Sequence, residues 1–187
     1  MEYIEYVDKV IRELKDVLSE VKKEEIESFI KEILKARQIQ VFGMGRVGFG
    51  MRAFAMRLIH LGFSTSFVYE TTTPNIGEGD LLIEGCACTS ICAEVIKLAK
   101  KANAKVAVIT AHPESDIARM ADLTIKLKGQ VLEGGKGEIP SIQPMATLFE
   151  QSLLIFLDLI TLLLMERTKQ TSSDMAKRHT NLDGYME

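Results

Sequence analysis

The sequence predicts an α/β protein built on a parallel β-sheet with helices on both of its faces. From residue 39 onward, short apolar segments alternate with segments in which apolar residues recur at helical spacing, and this alternation is typical of parallel sheets. The first apolar segment, residues 39–42, leads directly into a glycine-rich turn and then a helix. Ligands of such sheets bind beyond the carboxyl ends of the strands, so the turn marks the expected ligand edge.

The predicted elements follow one another in a regular order. Two amphipathic helices, at about residues 2–19 and 23–36, precede the sheet and are expected to cover it or a partner subunit. We expect one domain over residues 1–187, with N-terminal helices (1–37), a core (38–167) and a polar C-terminal tail (168–187). The predicted strands are residues 39–42, 65–69, 81–83, 105–110 and 123–126, and the later helices cover about residues 47–61, 92–102, 116–121 and 145–167.

Composition narrows the classes of function. The chain has a net charge of −3 and no basic patch interleaved with aromatic residues, so we do not expect nucleic-acid binding. The N-terminus is charged and amphipathic, which is not typical of a secretory signal or a lipid anchor. The longest apolar run, residues 153–165, contains Asp158 and is too short to span a bilayer. We therefore expect no membrane partner and a cytoplasmic location. Three cysteines within residues 86–92 do not suggest a disulfide framework.

The turn after the first strand contains Gly43, Gly45 and Gly48 in a GxGxxG pattern. A strand, a glycine turn and a helix in succession point backbone N–H groups at an anion. The pattern fits a dinucleotide, a sugar phosphate or no ligand at all. A dinucleotide requires an acidic residue about 20 positions further on. Glu70 has that position, but it opens a polar loop that suits the rim of a substrate site, and we therefore disfavour a dinucleotide.

Five segments carry a more specific pattern: VFGMGRVG, AFAMRLIHLGF, YETTTPNIGEGDLLI, MATLFEQSLLIFLDLI and DMAKRHTNL, between residue 41 and the C-terminus. They resemble the sugar isomerase (SIS) family, and within it the 6-phospho-3-hexuloisomerases. The resemblance implies a flavodoxin-like five-stranded parallel sheet, often in a homotetramer with sites at subunit interfaces. It implies interconversion of arabino-hex-3-ulose 6-phosphate and fructose 6-phosphate through an enediol. The implied ligand is a sugar phosphate, with neither a metal nor a cofactor.

The resemblance also implies two catalytic residues. The glutamate after the TLF block, Glu150, would be the base that moves a proton between neighbouring carbons. The histidine of the KRH block, His179, lies near the site in relatives, often from a neighbouring subunit, and could open the sugar ring or bind a hydroxyl. Each residue also has a purely structural interpretation. Glu150 lies near a helix start, where the dipole stabilises a carboxylate, and a histidine in a polar tail is usually solvated.

Substrate binding is expected at three segments that the parallel-sheet topology places side by side at the ligand edge, and the resemblance implies phosphate contacts in the first and the third of them. Threonines in the polar loop could bind sugar hydroxyls or only satisfy the turn, and Arg46 could pair with the anion or only cover the sheet edge. The expected residues are Gly45, Arg46 and Val47 in the turn, Thr71, Thr72 and Thr73 in the polar loop, and Cys86, Ala87, Cys88, Thr89, Ser90 and Ile91 after the third strand.

The exit of the third strand departs from the family pattern. Relatives carry a segment like SGSGET that cradles the phosphate, whereas this chain reads CACTSI at residues 86–91. A thiol is a poor hydrogen-bond donor, and each hydrogen bond to a charged group contributes about 1.5–3 kcal/mol. The change leaves open a non-catalytic SIS domain that binds a sugar phosphate or another ligand. Cys86, Cys88 and Cys92 could form a soft-metal or iron–sulfur site, include a reactive thiol, or simply pack as small side chains.

Overall fold

A computed structural model describes residues 2–87, 90–132 and 134–182. Its strands form a single parallel sheet in the order β2-β1-β3-β4-β5, which confirms the predicted flavodoxin-like fold. The strands are β1 (Ile39–Phe42), β2 (Thr65–Phe67), β3 (Leu81–Cys86), β4 (Lys105–Thr110) and β5 (Leu123–Lys126). The helices are α1 (Tyr3–Ser19), α2 (Lys23–Lys35), α3 (Gly45–His60), α4 (Ser90–Lys101), α5 (Asp116–Arg119), α6 (Thr147–Thr168) and α7 (Ser172–Ala176).

The two N-terminal helices pack against the sheet layer of the same chain. Their apolar stripes bury Val17 of α1 and Phe29 and Ile33 of α2, and they contact α6 and β5. Polar contacts secure them as well, because the carboxylate of Glu13 accepts hydrogen bonds from the Ser141 hydroxyl and the Ile142 amide. The segment that leads into α6 is therefore held by α1.

Strand β3 extends three residues beyond its predicted end. Glu84, Gly85 and Cys86 pair in register with the last three residues of β4, although a charged residue followed by glycine resembles the end of a strand in sequence. Gly85 is required by packing, because a Cβ there would lie 2.8 Å from Val47 Cγ1 and 3.0 Å from Leu153 Cδ2. The close approach of α3 and α6 to the middle of the sheet therefore depends on this glycine.

Helix α6 is the long apolar helix expected from the sequence. Within the described residues it is the helix whose length and composition would allow it to cross a membrane, and half of its most apolar window is buried in the protein. It packs against α3, α1 and α2, as a core helix does. Leu154, Leu159 and Leu162 remain exposed on its outer side, which leaves an apolar strip beside α3.

The loop before β3 is organised by one buried carboxylate, that of Asp80. It accepts two hydrogen bonds of 2.9 Å from the Arg37 guanidinium, one of 2.7 Å from the Gln38 side chain and one of 2.8 Å from the Gly77 amide. The start of β3 is thereby tied to the segment that enters β1.

We expect Asp80→Asn to lower the free energy of unfolding at neutral pH by about 1.5–3 kcal/mol, as for hydrogen bonds to charged groups. Burial raises the pKa of Asp80, but hydrogen bonds from Arg37, Gln38 and Gly77 outweigh burial and hold this pKa below its usual value. The stabilisation is therefore complete above the unfolded-state pKa of about 4 and is lost as pH falls through the folded-state value. Urea unfolding of both proteins at neutral and acidic pH measures the difference, which must shrink in acid if the carboxylate charge is its cause.

Candidate functional site

The glycine turn forms the tightest part of the ligand edge. After β1 ends at Phe42, the chain reverses through Gly43 and enters α3 at Gly45, whose φ of +55° lies in the left-handed region. A Cβ at Gly48 would lie 2.5 Å from the carbonyl oxygen of Gly43, so only glycine fits there. The first amides of α3 have no intrahelical partners. They lie at the carboxyl end of β1, where an anion can accept their hydrogen bonds.

The first turn of α6 brings a carboxylate to this turn. Glu150 Oε2 lies 3.2 Å from Arg46 Nε, and the Glu150 side chain is 15% exposed. Oε2 has no partner at hydrogen-bond geometry, so the two groups form an ion contact without an aligned hydrogen bond. Arg46 also donates a long hydrogen bond of 3.4 Å to the Thr147 hydroxyl. The structure therefore places one acidic and one basic side chain together at the N-terminus of α3.

A small open cavity lies against this ion pair. Its volume is about 230 Å³, and part of its rim is apolar because Phe49 is 71% exposed and Leu154 is also exposed. The carboxylate beside this apolar rim can exchange a proton with a ligand, and the guanidinium can neutralise an anion. The lining residues are Arg46, Phe49, Gly50, Ala53, Glu150, Gln151 and Leu154.

The polar loop after β2 has mixed roles. Thr73 serves the loop itself, since its hydroxyl donates a hydrogen bond of 2.6 Å to the Phe67 carbonyl. Thr71 and Thr72 are exposed. The Glu70 carboxylate forms an ion pair of 2.6 Å with Arg52, whose guanidinium lies 3.5 Å from the centre of the Phe67 ring. Because Glu70 is engaged by α3, its place in this structure gives no support to binding of a dinucleotide ribose.

The exit of β3 divides into two parts. Cys88, Thr89 and the side chain of Ser90 lie outside the described part of the chain, so their predicted phosphate contacts stay predictions. The Cys86 side chain is buried, Ala87 is half-buried and Ile91 is exposed. In the turn, the Val47 side chain is buried as well. Among these residues, Cys86 and Val47 could contribute to an exposed ligand only through their backbone groups.

Glu84 was missed by the sequence analysis, although a charged residue in the apolar run LLIEGC is a signal in itself. Its side chain is fully buried, and one of its carboxylate oxygens lies with the thiols of Cys86 and Cys92 in a group whose ligand atoms are all within 4.8 Å of one another. Burial raises the pKa of Glu84 to about 8; the Cys92 thiol opposes this rise and Cys86 adds to it. The group lies between β3 and α4, on the face of β3 opposite Gly85.

His179 lies in a second and larger cavity. The cavity has a volume of about 840 Å³, and the His179 ring centre is 5.2 Å from that of His60. Burial lowers the pKa of His60, and the nearby Arg57 and His179 lower it further. Arg46 and His60 are 14 residues apart on α3, which corresponds to about 20 Å at 1.5 Å per residue. One chain by itself therefore does not bring Glu150 and His179 together.

Comparison with known proteins identifies the family of this chain. The family model for the SIS domain matches residues 32–155, which include β1–β5, the glycine turn and Glu150. This chain belongs to the SIS domain family. The match covers about two thirds of the chain and confirms the resemblance seen in the sequence.

Two relatives of this SIS protein carry the name of the same enzyme, 3-hexulose-6-phosphate isomerase. A Bacillus subtilis protein named 3-hexulose-6-phosphate isomerase is 38% identical over 98% of this chain and 100% of its own length. A protein of the same name from Methanocaldococcus jannaschii is 41% identical over 86% of this chain and 85% of its own length. A crystal structure of a Methanococcus jannaschii protein, inferred to be a 3-hexulose-6-phosphate isomerase, matches with a TM-score of 0.81 and 38% identity over 97% of this chain and 99% of that chain.

Proposed function

We propose that this SIS protein is a 3-hexulose-6-phosphate isomerase that interconverts arabino-hex-3-ulose 6-phosphate and fructose 6-phosphate. The observation that carries the proposal is the position of the Glu150 carboxylate, 3.2 Å from Arg46 at the start of α3 and beside the glycine turn. The relatives that bear this enzyme's name support the same choice of substrate.

The reaction moves one proton between adjacent carbons and one between their oxygens. Glu150 removes the proton from C2, the C–H electron pair forms the C2–C3 double bond, and the C3 carbonyl oxygen takes up a proton from solvent to give an enediol. The carboxyl group then returns its proton to C3 while O2 releases its hydroxyl proton to solvent and the carbonyl forms at C2. Arg46 supplies a positive charge for the phosphate or for the developing oxyanion. No electrons leave the sugar, so these steps need no redox cofactor.

The phosphate is expected at the N-termini of α3 and α4. Backbone amides at these positions lack intrahelical partners and favour an anion. Gly45, Arg46 and Val47 would contribute through α3, and the segment 86–91 would contribute through the loop before α4. Thr71 and Thr72 are exposed, which leaves their hydroxyls available for the sugar. Backbone N–H groups would therefore supply part of the hydrogen bonding to phosphate that serine hydroxyls provide in relatives.

A complete site is expected to require a second copy of the chain. His179 lies beside His60, which is about 20 Å from Arg46 along α3, so the proposed role of His179 in ring opening depends on a neighbouring subunit. Exposed apolar residues on α3 and α6, among them Phe49, Leu154 and Leu162, would be covered by such an association. We propose a homotetramer that acts on its sugar phosphate in the cytoplasm.

One observation favours a second candidate, a non-catalytic domain that only binds a sugar phosphate. The Cys86 side chain is buried, at the position where relatives carry the first serine of the phosphate segment. Binding without turnover is the behaviour expected of this candidate.

Incubation of the wild-type protein with arabino-hex-3-ulose 6-phosphate separates the two candidates. We expect fructose 6-phosphate to form with a kcat in the common range of about 1–10³ s⁻¹, measured by a coupled assay for fructose 6-phosphate. A thermal shift with fructose 6-phosphate reports binding independently. Stabilisation by the sugar phosphate without any turnover would favour the binding domain and overturn the proposed isomerase.

A further inference from the structure

The buried group beneath the ligand edge has the composition of a cation site. Glu84 and Cys86 lie two residues apart on β3 and therefore face the same side of the sheet. Cys92 approaches them from α4, and the exposed fractions of Glu84, Cys86 and Cys92 are 0%, 3% and 2%. One carboxylate oxygen and two sulfur atoms lie within 4.8 Å of one another, so three ligand atoms from two elements converge.

The Glu84 carboxylate provides a second, independent observation. Both of its oxygens are buried without an aligned hydrogen bond, and the group that interacts with the carboxyl is the Cys92 thiol, which is a weak donor. A polar side chain in this state costs free energy, and native proteins usually satisfy such groups with a donor, a water or an ion. A cation held between the carboxylate and the two sulfurs would satisfy it.

We propose that Glu84, Cys86 and Cys92 bind a thiophilic divalent cation of the Zn²⁺ class. Two thiolates and one carboxylate are ligands that Zn²⁺ accepts. Mg²⁺ and Ca²⁺ are disfavoured because they require six or more oxygen ligands. Binding displaces the thiol protons, and any proton on the carboxyl, to solvent. Ligand bonds of about 2.0–2.3 Å require the three side chains to close slightly around the ion.

The proposed ion does not take part in the isomerisation. Gly85, between two of the ligands, faces α3 and α6, whereas the ligands face α4. The cation site therefore lies on the opposite face of β3 from Glu150. Its role is structural, because it would join the end of β3, through Glu84 and Cys86, to the first turn of α4, through Cys92.

Metal titration of the wild-type protein tests the proposal. The protein is purified without oxygen in a non-thiol reductant, stripped with a chelator and titrated with Co²⁺, and Zn²⁺ affinity is measured by competition with a chromophoric chelator. We expect one equivalent to bind with a thiolate-to-cobalt charge-transfer band. Cys86→Ser and Cys92→Ser should each weaken Zn²⁺ binding more than about 100-fold, since even outer-shell partners of a metal contribute about 10–100-fold. Glu84→Gln should weaken it at least about tenfold.

Two further measurements keep the test decisive. Glu138→Gln is the matched control, because Glu138 is another buried carboxyl outside this group, and its Zn²⁺ affinity should equal that of the wild type. X-ray absorption of the zinc-loaded wild-type protein needs no variant and should show at least two sulfur ligands with an oxygen ligand. Absence of binding, binding that survives replacement of both cysteines, or a shell with fewer than two sulfurs would each overturn the proposal.

Discussion

Glu150→Gln is expected to lower kcat for the isomerisation by about 10²–10⁴-fold, the usual contribution of a general base. Glutamine has nearly the same shape and can remain beside Arg46, but it cannot accept the carbon-bound proton. Only 15% of the Glu150 side chain is exposed and it lies on a well-packed helix, so the neutral substitute should keep its position. Initial rates with arabino-hex-3-ulose 6-phosphate measure the loss of activity, and the unfolding temperature measures any loss of stability.

The matched control is Glu166→Gln, which makes the same change at an exposed position of α6. It should leave both kcat and stability unchanged. Exchange of the C2 hydrogen of the substrate with deuterated water is a second readout, because a lost base removes exchange as well as turnover. A Glu150→Gln protein that isomerises at the wild-type rate would remove this residue from the mechanism while leaving the family and the fold intact.

Gly129→Ala is expected to lower kcat/KM by about 100-fold, although Gly129 carries no side chain near the cavity. A Cβ at Gly129 would lie 2.8 Å from both the Cα and the backbone nitrogen of Phe149. A backbone atom cannot rotate away as a side chain can, so the start of α6 must move and carry Glu150 with it. A misplacement of about 1 Å can cost 10²-fold in rate, and overpacking typically costs about 1–3 kcal/mol of stability.

Gly77→Ala serves as the control for this substitution. The nearest atom to a Cβ at Gly77 is the Ala102 carbonyl oxygen at 3.8 Å, an ordinary contact, so activity and stability should stay close to the wild-type values. Steady-state kinetics and urea unfolding of the three proteins make the comparison. A Gly129→Ala protein that is destabilised but fully active would show that the reaction tolerates displacement of the α6 start.

The sequence was sufficient for the architecture because its signals are local. Alternating apolar segments, the glycine turn and the long apolar helix each occupy consecutive residues. All five strands begin at the predicted residues, although β2 ends two residues before its predicted end and β3 ends three residues after it. The proximity of Glu150 to the turn follows less directly, since it depends on how α6 packs across α3. The family resemblance supplied that residue, and the ion contact with Arg46 required the structure.

The errors in the sequence analysis have physical causes. Polarity marked Glu84 and Gly85 as the end of a strand, but Glu84 pairs with both β1 and β4 and Gly85 pairs with β4, so the neighbouring strands impose the extended conformation there. Glu84 was for the same reason not associated with the cysteines, because the group forms only when α4 packs on the sheet. The location of His179 near His60 depends on the path of the C-terminal tail, which has no periodic pattern to reveal it.

The contact between Arg46 and Glu150 has a consequence for substrate choice. With no sugar bound, the guanidinium already attracts the carboxylate. With Glu150 as the proposed base, an incoming phosphoryl group would compete for that same cation and free the carboxylate to accept the carbon-bound proton. An unphosphorylated hexulose carries no competing anion, so it would meet a carboxylate that is still paired with Arg46 and is therefore less reactive. The enzyme would then discriminate against unphosphorylated hexuloses in the chemical step as well as in substrate binding.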